Sequence, residues 1–487
     1  MDTPEENVPA GRQVFTEQAP IEDARKLGIP KMLVLGLQHM FAMFGATVLV
    51  PILVAGYFSQ ACGEPLTQGL TVAVTLFCAG IGTLLFHLCA KLQVPAFLGS
   101  SFAFLGGFNT VAQLNDGIFK AMPANEKAAY ACGGVLAAGT LYLALALVIK
   151  IVGSRRVMRF LPPVVTGPII ICIGLSLAPV AVSSARSNWF LALIALGTII
   201  VFNIWGKGMF KIIPILMGVV VSYLAAAIMH KCGIVNPDGS AIFNFSGVGA
   251  APAFGLPPFK ICQFDITAIL VMAPIAIATM MEHIGDMSAI SATVGKNFLE
   301  KPGLHRTLLG DGIATSVAGL LGGPANTTYG ENTGVLQLSR VYDPRVIRIA
   351  ALFAIILSFI PKFSALVSTI PPAIVGGVSF MLYGMIAAIG VRNVVENRVD
   401  LTRSRNLIIA GVIFVCSLGF TQGVTFSVGE TKITLTALAI AALAGIALNL
   451  ILPGNTYEFG ANPNGDRSRG VSLLVSGIFK RDPKERE

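Results

Sequence analysis

Two carboxylic acids lie four residues apart inside a long apolar stretch of the chain. Residues 265–290 contain Glu282, His283 and Asp286 between mostly apolar flanks. Residues four apart share a helix face, so Glu282 and Asp286 would project together, with His283 turned about 100° away. An ionised carboxylate accepts hydrogen bonds from a polar ligand, and its acid form carries a proton. The spacing indicates ligand binding or proton transfer; the alternative is a charged helix end at the membrane surface.

A third carboxylic acid, Glu331, lies in a stretch that is unfavourable for a helix. Residues 323–334 read GPANTTYGENTG, where glycine and proline break helical geometry and most other side chains are polar. Non-helical backbone at membrane depth is tolerated only where it is buried in protein or lines a water-filled cavity. A carboxylate there is a functional-site hypothesis by default. The alternative is an ordinary polar loop between two spans.

A second broken stretch, VPAFLGSSFAFLGGF at 94–108, is interrupted by Pro95 and Gly99. Together the two stretches would present facing backbone edges with N–H and C=O groups available to a ligand. Phe102 on one stretch and Tyr329 on the other would then flank a flat ring. For Phe102, simple packing within a kinked helix is the competing interpretation.

Metal and redox chemistry are not indicated. Glu282, His283 and Asp286 resemble part of a metal ligand set, but no second ligand motif such as HExxH follows. The eight cysteines show no metal-binding spacing, and a disulfide between Cys232 and Cys262 is left open. We therefore predict no metal, no cofactor and no intramembrane enzyme.

The composition is that of a polytopic membrane protein. Of the 487 residues, 54% are hydrophobic and only 12% are charged, against about 25% in soluble proteins. The net charge of +9 then concerns membrane topology and not nucleic acid. Spans of about 20 apolar residues are predicted at 33–56, 69–91, 94–112, 129–151, 161–184, 188–206, 209–230, 265–290, 307–322, 324–340, 346–367, 371–391, 405–425 and 433–452.

Fourteen spans place both termini on the same side of the membrane. With the N-terminus in the cytoplasm, the great majority of the 34 Lys and Arg residues fall on the cytoplasmic side. The sequence therefore predicts a multi-pass protein with both termini in the cytoplasm.

Internal similarity divides the spans into two halves. LPPVVTGPIIICIGL (161–175) resembles IPPAIVGGVSFMLYG (370–384), and QHMFAMFGA (38–46) resembles EHIGDMSAI (282–290). The broken third span then corresponds to the broken tenth. Seven spans per repeat force the halves into opposite orientations, which is the inverted-repeat plan of secondary transporters with a site between the broken segments.

These motifs resemble the nucleobase–ascorbate transporter family, and most closely its bacterial uracil permease branch. The resemblance rests on QHMFAMFGATVLVP (38–51), GSSFAF (99–104), EHIGD (282–286), PGLHRTLLGDG (302–312), NTTYGENTGV (326–335) and PPAIVGGVSFMLYG (371–384). It implies an all-α fold with short antiparallel strands in the third and tenth segments. It further implies a core domain (33–151 and 265–367), a gate domain (161–230 and 371–452), an extracytoplasmic loop (231–264) and cytoplasmic tails (1–32 and 453–487).

The resemblance also implies a binding site. Uracil would be held by the carboxylates of Glu282 and Glu331 and by backbone groups at Phe102 and Gly330, with Tyr329 beside the ring. Purine-transporting members carry glutamine at the position of Glu331, so the implied substrate is a pyrimidine. A xanthine or urate permease is the first alternative. An anion transporter of the same architecture is the second, although it would need a cation at the broken segments.

Proton coupling is implied to run through Glu331 and Glu282, with His39 tied into their network. A lone membrane histidine such as His39 can equally be a packed structural residue. The best-described uracil symporters carry histidine at the position of Asp286. Two questions therefore stay open: which group holds the proton, and which cation drives transport. The expected protein is a proton-driven uracil importer of a bacterial inner or plasma membrane, embedded in lipid. The family further implies pairing through the gate domain.

Overall fold

The structure is a computed structural model that describes residues 20–421, 423–428, 431–454 and 457. Most of the two predicted tails lies outside these residues. The described chain is mainly helical, and its elements are α1 (Ile29–Cys62), α2 (Val72–Cys89), β1 (Leu98–Ser100), α3 (Leu105–Gln113), α4 (Ala124–Val152), α5 (Ser154–Met158), α6 (Pro163–Ser176), α7 (Ala178–Ala185), α8 (Trp189–Trp205), α9 (Met209–Ile212), α10 (Pro214–Lys231), α11 (Ser246–Ala250), α12 (Ile266–Met272), α13 (Ile275–Val294), α14 (Leu304–Leu320), β2 (Asn326–Thr328), α15 (Gly330–Ser339), α16 (Pro344–Ser358), α17 (Pro361–Val367), α18 (Pro372–Glu396), α19 (Ser404–Gly419), β3 (Val424–Val428), β4 (Thr431–Leu435) and α20 (Ala437–Ile451).

Within the described residues, seven helical segments are long and apolar enough to cross a membrane. They are Ile29–Cys62, Val72–Cys89, Ala124–Val152, Pro163–Ala185, Pro214–Lys231, Ile266–Val294 and Pro372–Glu396. An eighth is added if α16 and α17, which meet at 92°, count as one broken span, and α8, α19 and α20 are shorter apolar helices. The protein is therefore an integral membrane protein. The prediction of fourteen spans in two inverted repeats stays a prediction, although each predicted segment contains a helix.

The two broken segments contain the predicted strands. β1 pairs with β2 in antiparallel register, with Gly99 opposite Thr327, which confirms this part of the sequence analysis. Side chains of neighbouring helices satisfy the strand backbone at membrane depth. The hydroxyl of Thr83 accepts from Leu98 N at 2.9 Å, and the Thr315 hydroxyl donates to Asn326 O at 2.9 Å.

Two predicted continuous spans are broken at proline. The eighth predicted segment divides into α12 and α13 at Pro274, and the eleventh divides at Pro361. Proline lacks a backbone N–H and its ring clashes with the preceding helical turn, which explains the breaks. The Glu282–Asp286 helix face therefore belongs to the shorter helix α13.

One part of the span prediction is wrong. The thirteenth segment was expected to continue to residue 425 and the fourteenth to begin at residue 433, but residues 424–428 and 431–435 form the antiparallel hairpin β3–β4. Val424, Thr425 and Phe426 are β-branched or aromatic residues, which favour strands. The last helix begins only at Ala437.

The described helices pack into two sets. The first helix set is α1, α2, α4, α12, α14 and α16, and the second is α6, α7, α8, α10, α18, α19 and α20. Glycines permit close approach within each set, as expected for membrane helices. A Cβ at Gly319 would lie 2.8 Å from Cys132 O between α14 and α4, and one at Gly390 would lie 2.5 Å from Ile171 N between α18 and α6. Helix α13 contacts both sets and lies between them.

The loop at 231–264 runs across the first helix set and holds no disulfide in the structure. Cys232 and Cys262 are both free thiols, the first exposed and the second buried. Backbone bonds fasten the loop instead: Cys262 N donates to Leu320 O and Gln263 N donates to Ala129 O at 3.0 Å. The disulfide that the sequence left open is therefore not formed.

Candidate functional site

The ends of the paired strands meet the middle of α13 at a small enclosed cavity. Five of the residues singled out from the sequence line it together, namely Phe102, Glu282, Asp286, Tyr329 and Gly330. The cavity has a volume of about 20 Å³, which is room for about one water molecule. A flat ring therefore requires the surrounding side chains to move apart.

Asp286 is tied to the strand pair. Its carboxylate accepts a hydrogen bond of 2.8 Å from the hydroxyl of Thr328, and both residues are buried. Thr328 lies opposite Leu98 in the β1–β2 ladder. The bond therefore links the side of α13 that lines the cavity to the non-helical backbone of both broken segments.

Tyr329 is fixed by the opposite strand. Its hydroxyl donates to Ser100 O at 2.9 Å and lies 3.3 Å from the hydroxyl of Thr47 on α1. Its ring covers Gly99, because a Cβ at that position would lie only 2.4 Å from the ring carbons. The side chain is thus held by contacts to β1 and α1.

Phe102 makes its aromatic contact across the boundary between the helix sets. Its ring meets the ring of Tyr383 on α18 edge to face, with centroids 5.6 Å apart. Sequence reasoning missed Tyr383, although it stands in the quoted motif at 371–384. Phe102 and Tyr329 line the same cavity.

The hydrogen-bond ladder between β1 and β2 ends just before two helical turns, which begin at Phe102 and Gly330 and line the cavity. The last strand-to-strand donors are Ser101 N, which bonds Ala325 O at 2.8 Å, and Tyr329 N, which bonds Phe97 O at 3.0 Å. The next amides belong to Phe102 and to Gly330, the first residue of α15. Amides at a helix start lack intrahelical acceptors and suit an electron-rich ligand atom.

The two remaining predicted residues are Glu331 and His39. The side chain of Glu331 lies outside the described residues, although its backbone is in the first turn of α15. His39 is fully buried in α1, and neither ring nitrogen has a hydrogen-bond partner among the described residues. Helix α1 packs against α15. The predicted link between His39 and Glu331 therefore stays a prediction.

A buried polar pair lies behind α13. His283 Nδ1 is 3.0 Å from Asp311 Oδ2 on α14, and both side chains are fully buried. Sequence analysis placed His283 away from Glu282, which fits this position, but it overlooked Asp311. The signal was present as a lone acid between Gly310 and Gly312 in an apolar span.

A larger cavity adjoins the small one. It has a volume of about 430 Å³ and shares Asp286, Gly330 and Ile389 with it. Lys211 and Arg392 also line it, and the predicted topology puts both on the cytoplasmic side. Within the described part of the chain, no three His, Cys, Asp or Glu side chains cluster as metal ligands.

Comparison with known proteins identifies the family of the chain. Residues 30–426 match the model of a family described as the permease family. The chain is 42% identical to a uracil permease of Bacillus caldolyticus over 449 residues, covering 89% of this chain and 94% of that protein. It is 40% identical to the uracil permease of Bacillus subtilis, covering 86% and 91%. A putative pyrimidine permease of Escherichia coli is 36% identical, covering 91% and 94%.

Solved structures share the fold at low identity. The transmembrane domain of a cyanobacterial bicarbonate transporter matches with a TM-score of 0.53 and 16% identity, covering 88% of this chain and 99% of that one. A murine anion transporter of solute carrier family 26, in an inward-facing state, matches with a TM-score of 0.57 and 11% identity, covering 92% and 73%. The chain belongs to the permease family and is a membrane transporter, not an enzyme.

Proposed function

We propose that this transporter imports uracil by proton symport across a bacterial plasma membrane, with both termini in the cytoplasm. The observation that carries the proposal is the cavity where Glu282, Asp286 and Gly330 meet at the ends of two paired strands. Relatives about 40% identical over most of their length are named uracil permeases, which supports the substrate.

Uracil offers ring N–H donors and carbonyl acceptors in one plane. The carboxylates of Glu282 and Glu331 accept from its N–H groups, and the amides at Phe102 and Gly330 donate to its carbonyls. Tyr329, held by Ser100 and Gly99, packs beside the ring. A ligand lacking one of these groups leaves a buried polar atom unpaired, at a cost of about 1–3 kcal/mol.

The coupling proton is carried by the acidic groups around this cavity. Glu331 and Glu282 bind substrate and proton together, Asp286 adds a carboxylate held by Thr328, and His39 serves as the buried relay. A protonated carboxyl group donates its O–H to a substrate carbonyl and still accepts from a substrate N–H through its other oxygen. Proton binding and substrate binding therefore favour each other, and loss of the proton weakens the hold on the substrate.

Alternating access arises from movement between two domains. The first helix set belongs to the core domain and the second helix set to the gate domain. The packing of helix pairs repeats when each predicted segment is replaced by the one seven positions away, which supports the inverted repeat. The fourth and ninth segments pack as α4 on α14, and the eleventh and second pack as α16 on α2. In the same way, α8 packs on α10 (sixth and seventh segments) and α19 packs on α20 (thirteenth and fourteenth). The cavity beside Asp286 is the cytoplasmic exit.

Uptake of radiolabelled uracil into cells without their own uracil permease tests substrate and coupling together. We expect uptake to collapse with a protonophore and to resist competition by xanthine and uric acid. Glu331→Gln and Glu282→Ala should abolish uptake at unchanged protein level. Strong competition by xanthine would assign the chain a purine substrate, and uptake that ignores the protonophore would refute proton symport.

A reversible crosslink tests the movement. A Cβ built at Gly45 on α1 lies 3.5 Å from Cβ of Ile215 on α10, and disulfides span roughly 3.5–4.5 Å between Cβ atoms. We expect Gly45→Cys with Ile215→Cys to stop uptake when oxidised and to recover it with a reductant, while uracil binding persists. Gly45→Cys alone and Ile215→Cys alone are the controls, because each shows whether the new cysteine forms a disulfide with a native cysteine. Full uptake by the crosslinked protein would mean that α1 and α10 do not move apart.

A further inference from the structure

A second large cavity lies away from the transport site. It has a volume of about 1000 Å³ and shares no lining residue with the two cavities described above. Its walls are the loop after α2, the segment following α13 and the start of α16, with Glu22 at its rim. The predicted topology puts these segments at the cytoplasmic surface of the membrane.

Charged side chains dominate the lining. The cations are Lys296, Lys301, Arg345 and Arg348, and the carboxylates are Glu22, Glu300 and Asp343. The carboxylates already have partners within the protein. Glu22 forms an ion pair with Lys296 at 3.0 Å, and Asp343 forms one with Arg345 at 3.0 Å. Asp343 also accepts a hydrogen bond from Ala24 N at 2.8 Å, and Glu300 accepts one from the Asn297 side chain at 3.1 Å.

Two cations are left over after this pairing. Arg348 is half-buried, and its Nη1 atom is inaccessible to solvent without a hydrogen-bond partner among the described residues. Lys301 is exposed at the cavity wall and makes no ion pair with the described residues. A buried guanidinium N–H that bonds nothing is costly, typically by about 1–3 kcal/mol. Arg348 also lines the cavity, so an anion bound there would lie beside a guanidinium that forms no ion pair with the described residues.

The geometry points to a binding site for a phosphate group, held by Arg348 with Lys301. The planar guanidinium matches phosphate oxygens in a bidentate manner, and the lysine adds a mobile point charge. Basic pockets between membrane helices at the cytoplasmic surface suit anionic lipid headgroups. A cavity of about 1000 Å³ also accommodates more than a bare phosphate. The same chemistry would serve a soluble phosphate.

The test uses the purified full-length protein in lipid nanodiscs. Its thermal unfolding is followed in phosphatidylcholine alone, in phosphatidylcholine titrated with phosphatidylglycerol, and in phosphatidylcholine with inorganic phosphate against chloride at equal ionic strength. We expect phosphatidylglycerol to raise the unfolding temperature saturably. Arg348→Gln should weaken this response about ten-fold, as for the loss of one charge-assisted hydrogen bond.

Matched variants separate the site from general surface charge. Arg155→Gln removes an exposed cation and should leave the response unchanged. Arg348→Lys keeps the charge without the planar fork, and Lys301→Gln alters an exposed residue; both should weaken the response even if Arg348→Gln does not fold. A response to phosphate but not to phosphatidylglycerol would assign a soluble ligand. No response to either, or equal responses in wild type and these variants, would overturn the proposal.

Discussion

Replacing Gly99 by alanine tests the most tightly defined contact of the site. The added Cβ would lie 2.4 Å from Cε2 and Cζ of Tyr329 and 2.7 Å from its hydroxyl oxygen. Non-bonded carbon atoms normally approach to about 3.5–4.0 Å. The Tyr329 ring must therefore retreat by about 1 Å, or the β1–β2 pair must separate.

Both responses weaken the site. A retreat of about 1 Å breaks the 2.9 Å bond from the Tyr329 hydroxyl to Ser100 O, which costs about 1 kcal/mol. Overpacking a close contact costs about 1–3 kcal/mol more. If about 2 kcal/mol of this total falls on the substrate-bound state, uracil affinity falls about 30-fold.

The assay is the KM of uracil uptake, paired with uracil binding to the purified protein in detergent. Gly106→Ala is the matched control, because Gly106 lies in α3 close by and a Cβ there meets no heavy atom within 4 Å. We expect KM and Kd to rise together in Gly99→Ala and to stay at wild-type values in Gly106→Ala. If both variants keep wild-type affinity at normal protein levels, the ring of Tyr329 does not rest on Gly99 in the working transporter.

Other substitutions test the contacts around α13. Thr328→Val removes the hydroxyl that bonds Asp286 and should lower uracil uptake at least ten-fold, since hydrogen bonds to charged groups contribute about 1.5–3 kcal/mol. Thr328→Ser keeps the hydroxyl and should transport normally. An equal loss of uptake in both variants would refute the role of the Thr328–Asp286 hydrogen bond. Asp311→Ala breaks the buried pair with His283 and should destabilise the protein by about 3–5 kcal/mol, seen as a lower unfolding temperature in detergent. Glu22→Gln, at a half-exposed ion pair, should change stability by less than about 1 kcal/mol. Equal effects of Asp311→Ala and Glu22→Gln would contradict the buried pairing.

The parts of the fold that sequence predicts are those encoded within one segment. Glycine and proline placed among polar residues at 94–108 and 323–334 mark broken membrane segments, and the strands form there. The four-residue spacing of Glu282 and Asp286 predicts a shared helix face, and both line one cavity. In each case the determining residues are neighbours in the chain, so local geometry is sufficient.

Contacts between distant segments could not be predicted in this way. The Phe102–Tyr383 ring contact and the His283–Asp311 pair depend on which sides of the helices pack against each other. Apolar periodicity carries no such information when a helix is hydrophobic on all sides. The β3–β4 hairpin was missed for a related reason, because a long hydropathy window merges a short apolar strand with the adjoining helix.

The strand pair explains how backbone can serve as a binding surface inside a membrane. Irregular backbone is costly there unless its polar groups are satisfied, and the strands bond each other as far as Ser101 N and Tyr329 N. Neighbouring helices supply the remaining partners, such as the Thr315 hydroxyl to Asn326 O. The ladder therefore stops at the residues before Phe102 and Gly330, and the first amides beyond it lie at the cavity. Because short strands rather than loops hold these amides, the recognition of a small planar ligand depends on the register of β1 and β2 as much as on the carboxylates of α13.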